Sequence, residues 1–291
     1  MSSLEDMVQA SAGMTRPELS LDRSDPERRL GLPSGRFTAP GPVLAPLVAG
    51  AMTVGFYALL RLAPDNFVSL SFTERGPTPY AIAAFGFWGL CVLLVKARKL
   101  AVQKRALGLR LLPSDDPAFT LTPESAERVL ETLFKTVDDP QRFFLTRRIH
   151  HALVNLKNMR QIGDVDAVLK TQSEQDEAQV DSSYTLLKGI LWTLPVLGFI
   201  GTVLGLSVAL GSFGSVLSSA SDIGQLRGAL QTVTGGLSTA FETTLQGLVA
   251  VVALQLGLIF VRGHEDRFLE DCGDYCQRFI VSRLRLTETP R

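Results

Sequence analysis

The sequence predicts an all-α membrane protein with four transmembrane helices and a helical cytoplasmic segment between the second and third. Three observations carry that expectation. Four stretches run almost without charge: Phe37–Leu60, Gly76–Val95, Gly189–Ser221 and Gly228–Val261, the last interrupted only by Glu242. Each is long enough to supply the about 20 apolar residues that cross about 30 Å of hydrocarbon. Hydrophobic residues make up 46% of the chain and charged residues 20%, and helices in soluble cores rarely run this far without a charge. Lysine and arginine, finally, fall unevenly around the four stretches.

Residues 1–36 hold many charges, prolines and glycines and no apolar core. They read as a disordered tail, with no cleavable signal peptide. A first transmembrane hairpin follows over 37–96. The segment after it carries Lys96, Arg98, Lys99, Lys104, Arg105 and Arg110, and the tail carries Arg23, Arg28, Arg29 and Arg36. The connections 61–79 and 212–229 hold only Arg61 and Arg75, and Arg227. The excess of base places both termini and the middle segment in the cytoplasm.

The middle segment, 97–185, has helical texture broken at Pro113, Pro117, Pro123 and Pro140. Thr122-Pro123-Glu124 is a helix start, with proline at the first helical position. Leu130, Leu133, Phe134 and Val137 then share a face. A second helix is expected from about Gln141 through Lys170, and a third from near Gln172 running into the membrane without a break. His150 and His151 are adjacent, so they point to different faces and read as surface residues. A second transmembrane hairpin covers 186–262, and a cytoplasmic helix covers 263–291.

Several functions are excluded. The formal net charge is zero, which gives nucleic acid no electrostatic footing. No phosphate-binding loop, nucleophile motif or strand pattern occurs, so neither catalytic residues nor a cofactor are expected. Cys91, Cys272 and Cys276 make no disulfide framework. Cys272 and Cys276 share one helix face but lack further ligands, so no metal site is expected.

The last pair of spans is the informative part. The third contains Leu194-Pro195-Val196-Leu197-Gly198-Phe199-Ile200-Gly201-Thr202-Val203-Leu204-Gly205-Leu206. Pro195 removes a backbone hydrogen bond and frees the Leu191 carbonyl, which predicts a kink. Gly198, Gly201 and Gly205 let a neighbouring helix come close. The fourth span contains Thr239-Ala240-Phe241-Glu242-Thr243-Thr244-Leu245-Gln246-Gly247-Leu248. A carboxylate there costs at least ~3 kcal/mol unless paired, protonated or hydrated. Gln246 lies four residues on, on the same face, so a monomer is expected to leave both in lipid and a ring to bury them. Counted from Lys188, and from Arg227 and Arg262, Thr202 and Thr244 fall near mid-membrane at similar heights. Their hydroxyls can line a lumen, or they can bond their own helix backbone.

Together these two motifs resemble the MotA/TolQ/ExbB family of proton-channel subunits. That family carries proline, small apolar residues and Gly-Thr-Val in one span, here Pro195 through Val203. It carries Thr-Thr-x-x-Gly-Leu in the next, here Thr243 through Leu248. The resemblance covers about residues 185–262. It implies a pentamer of this chain around two copies of a single-span MotB/TolR/ExbD-like partner that bears a membrane aspartate. It implies that the ring is the stator or motor element of the bacterial inner membrane, driven by H+ or Na+. Thr202, Thr244, Glu242, Thr243 and Thr239 would then belong to the ion pathway, and Pro195, Gly198, Gly201, Gly205 and Gly247 to the helix kink and packing. Thr239 stands where ExbB-type members carry a glutamate, one turn from Glu242. The chain departs from ExbB and TolQ members in having four expected spans, as the flagellar ring subunit does. The alternative function is a non-conducting membrane scaffold that anchors a cytoplasmic complex through 97–185.

Overall fold

The computed structural model describes residues 19–20, 24–109, 111, 120–154, 156, 161–219 and 223–285. The elements among them are helical: α1 Pro26–Arg29, α2 Leu44–Leu60, α3 Phe67–Thr73, α4 Thr78–Arg105, α5 Pro123–Thr136, α6 Phe144–Val154, α7 Ile162–Ser183, α8 Thr185–Ser219 and α9 Ile223–Phe279. Two isolated bridges, Leu19 with Val137 and Leu121 with Leu284, join the ends of segments. Three helical stretches, Thr78–Gly108, Ile162–Gly211 and Arg227–Arg283, are long and apolar enough to cross a membrane, and α2 is a shorter apolar helix.

The helix of the first apolar stretch starts later than its composition predicts. Pro40, Gly41 and Pro42 cannot continue a helix, so α2 begins at Leu44 and has 17 residues. The expected connection 212–229 is shorter than its polar composition implies. Helix α8 runs to Ser219 and α9 resumes at Ile223, and residues 220–222 lie outside the described residues.

The chain divides into two compact units. One comprises residues 43–94 and 185–260, the other the remainder. In the second of these, Thr122 caps α5 through a reciprocal pair of bonds with Ser125, as the Thr-Pro start predicts. Ala126, Val129 and Leu133 form the buried stripe of that helix. The single helix expected from Gln141 through Lys170 is instead two, α6 and α7. Gln161 starts α7 afresh, in a reciprocal cap with Asp164. Helix α7 passes into α8 as one helical stretch, Ile162–Gly211, with Tyr184 as a single turn residue of right-handed helical conformation between them. The core is built from Phe143, Phe144 and Ile149 with Val165 and Phe268.

Part of the segment read as a tail is folded into this unit; residues 1–18 lie outside the described residues. Asp25 caps α1 by accepting the Glu27 N–H. Glu27 is fully buried and takes both Lys99 Nζ (2.5 Å) and the Gly41 N–H (2.5 Å). Phe37 adopts φ 53°, a left-handed conformation rare for a bulky residue. It is held there by stacking on Phe144 (centroids 4.2 Å), with the Arg147 guanidinium 4.5 Å above its ring. Lys96 and Glu265 form a fully buried ion pair (3.3 Å). Tyr184 donates to Glu265 at 2.7 Å, Thr38 donates to it too, and Lys96 also donates to Ser183. These charges were invisible as a cluster in the sequence, because their partners lie up to 227 positions apart.

Candidate functional site

The site is built on the α8–α9 pair within unit 43–94/185–260. On α8, Gly198, Gly201, Gly205 and Ala209 recur at three- and four-residue spacing, which puts them on one face. On α9 the matching series is Gly236, Ala240, Thr243 and Gly247. A methyl group added at Gly198 would come 3.1 Å from the Thr244 Cα, and one at Gly247 would come 2.8 Å from the Leu194 carbonyl oxygen. At Gly205 it would meet the Gly236 carbonyl oxygen at 2.6 Å and the Ala240 nitrogen at 3.0 Å. At Gly201 it would run into the Thr243 side chain. The two backbones therefore touch along an antiparallel seam that only small residues permit. Pro195 sits inside α8, beside Leu194 at the Gly247 end of that seam.

The four threonines divide between seam and open face. Thr243 is fully buried against Gly201, and its hydroxyl donates to the Thr239 carbonyl at 2.9 Å. Thr202, Thr239 and Thr244 are half-buried. Thr202 donates to the Phe199 carbonyl (2.6 Å) and Thr239 to the Gly235 carbonyl (3.1 Å). Thr244 reaches both the Ala240 carbonyl (3.2 Å) and, across the seam, the Gly198 carbonyl (3.3 Å). A hydroxyl whose proton is given to the backbone keeps its oxygen lone pairs. Such oxygens can replace water around a cation, whereas a proton relay would require the hydroxyl to rotate. Thr202 lies one turn, about 6 Å, along α8 from Gly198, which touches Thr244.

Packing against α4 sets the height of the site. Gly86 approaches Ala250, Gly89 approaches Leu254, and Leu93 approaches Gly257. The two helices run parallel in a constant register, and its continuation puts Glu242 level with Thr78, the first residue of α4. Glu242 and Thr244 thus stand beside the first turn of α4.

Glu242 has a partner that sequence reasoning missed. Arg75 grips it with both prongs: Nε donates to Oε2 at 3.0 Å and Nη2 to Oε1 at 2.8 Å. Ser238 Oγ also donates to Oε1, at 2.7 Å. Gln246 Nε2 donates to the Ser71 carbonyl and to Ser71 Oγ, both at 2.9 Å, while Gln246 Oε1 is buried without a hydrogen-bond partner. The expectation that one chain alone leaves Glu242 and Gln246 in lipid is therefore overturned. Glu242 is ion-paired within its own chain, and its side chain is 14% exposed. A signal for this was present: a lone carboxylate in an apolar helix needs a cation, and the connection 61–79 offers only Arg61 and Arg75.

The outward face of the pair is apolar and open. Phe199, Val203, Leu206 and Leu210 on α8, and Phe241, Leu245, Leu248 and Val252 on α9, are exposed. Among the described residues no group of three or more His, Cys, Asp or Glu side chains is arranged to hold a metal ion.

Residues 136–270 match the model of the MotA/TolQ/ExbB proton channel family. No curated protein and no solved structure matches the chain. The matched stretch takes in α6, α7, α8 and most of α9, well beyond the two spans that carry the motif. Channels of this family are not enzymes. Helices long and apolar enough to cross a membrane, together with this match, make the chain a multi-pass membrane protein that is similar, over residues 136–270, to the MotA/TolQ/ExbB proton channel family.

Proposed function

We propose that the chain is the ring subunit of a proton- or sodium-driven motor of the bacterial inner membrane. In this reading α2, α4, α8 and α9 are the four spans. Both termini and the middle segment 97–185 are cytoplasmic, in keeping with the lysine and arginine distribution. Five copies surround two copies of a single-span MotB/TolR/ExbD-like partner, whose membrane aspartate carries the ion. The observation that carries the reading is the family match over 136–270, because it includes the whole glycine seam and the threonine pair.

Thr202, Thr244 and Thr239 offer oxygen lone pairs to the passing cation. Thr243 is closed into the seam and sets helix spacing instead. The exposed apolar faces of α8 and α9 meet neighbouring subunits and the partner helix, where an apolar surface of this extent has a use. One observation favours the non-conducting scaffold: every one of these hydroxyls already donates to its own helix backbone. Native mass spectrometry of the chain co-purified with a single-span neighbour separates the readings. A ring subunit gives five copies with two of the partner, and a stable monomer or dimer counts against it.

A further inference from the structure

The polar stripe of α9 is turned toward the first hairpin of its own chain. Ser238, Glu242 and Gln246 recur every four residues and so lie on one helix face. Their partners outside α9 are Ser71, in the last turn of α3, and Arg75, between α3 and α4. The neighbouring residues point elsewhere: Thr243 packs on α8, while Phe241 and Leu245 are exposed.

We propose that this stripe is a socket for residues 67–75, and that Arg75 and Glu242 are positioning residues that seat the first hairpin on the α8–α9 pair. Glu242 is committed to Arg75 and is not a ligand of the transported ion. Three physical points support the assignment. The contact is a two-pronged guanidinium–carboxylate pair, the geometry in which arginine outperforms lysine. Both side chains are largely buried, 25% and 14% exposed, and a buried charge left without its partner is costly. Ser238 on one side and Ser71 with Gln246 on the other extend the contact beyond a single ion pair. A carboxylate held this way presents a neutral mouth to incoming cations and does not trap them.

The socket itself does not depend on ion passage; only its consequence for ion flow rests on the channel reading. The test is a double-mutant cycle on the complete complex, with Arg75→Gln, Glu242→Gln and both together, read by thermal midpoint in mild detergent and by ion-driven activity. The socket predicts that each single substitution lowers the midpoint and that the double variant is no worse than either single one. It predicts that the exchanged pair Arg75→Glu/Glu242→Arg regains both midpoint and activity, and that Arg75→Lys, which keeps charge but not the fork, falls between wild type and Arg75→Gln. Additive midpoint losses overturn the socket, whatever the activity shows. An unchanged midpoint in Arg75→Gln together with inactive Glu242→Gln overturns it too and returns Glu242 to the ion pathway. If the midpoints follow the prediction but no variant, wild type included, passes ions, the channel reading fails and the socket stands.

Discussion

Adding a single methyl group at Gly205 should separate the two helices of the α8–α9 pair. An alanine Cβ there would lie 2.6 Å from the Gly236 carbonyl oxygen and 3.0 Å from the Ala240 nitrogen. Ordinary C···O contacts are about 3.3–3.6 Å, so the helices must part by about 0.7 Å. Both obstacles are backbone, so no side chain can rotate out of the way. A gap of about 0.5–1 Å forfeits a quarter to a half of each dispersion well, and each well is ~0.1–0.2 kcal/mol. Along the closely packed seam that loss comes to about 2 kcal/mol, within the ~1–3 kcal/mol usual for overpacking. Alanine's higher helix propensity returns up to about 1 kcal/mol, which leaves a net loss. Gly189, in the same helix, is the control, because a Cβ there meets nothing within 4 Å. Thermal unfolding in mild detergent should therefore show Gly205→Ala below wild type and Gly189→Ala at or above it. If Gly205→Ala is as stable as Gly189→Ala, the seam is not packed as described.

Other outcomes follow from the same geometry. Thr202→Val and Thr244→Val keep side-chain shape but remove an oxygen; each should assemble normally and lose ion-driven activity, and full activity in both variants would make the hydroxyls purely structural. Lys96→Met leaves the buried Glu265 without its counter-charge, a loss of ~3–5 kcal/mol, detectable as a large drop in thermal midpoint. Replacing Lys96 and Glu265 together by methionine should recover most of that loss, because both side chains are fully buried.

How far these features could be read from the sequence depended on their range. The apolar stretches, the Thr122 cap and the glycine spacing are local patterns, and helices report such patterns directly. The start of α2 is set by the Pro40-Gly41-Pro42 block, which apolar composition does not register. The break between α6 and α7 was missed because its signal, a reciprocal cap between Gln161 and Asp164, is weaker than a proline. Glu242 stands out as the lone charge of its span, but its partner is 167 positions away. Periodicity along one helix says nothing about which distant segment covers a face. The same limit hid the Lys96–Glu265 and Lys99–Glu27 pairs, and with them the folding of residues 24–41 into the middle segment's unit.

Ion passage through the assembled complex is the most direct test of the proposed function. The chain would be reconstituted into liposomes with its single-span partner, an ion gradient imposed, and internal pH and sodium followed by dyes. Ion entry is expected with the intact partner and none when the partner's membrane aspartate is replaced by asparagine. Liposomes whose ion entry is the same with either partner, or absent with both although the complex is intact, would contradict the proposed function.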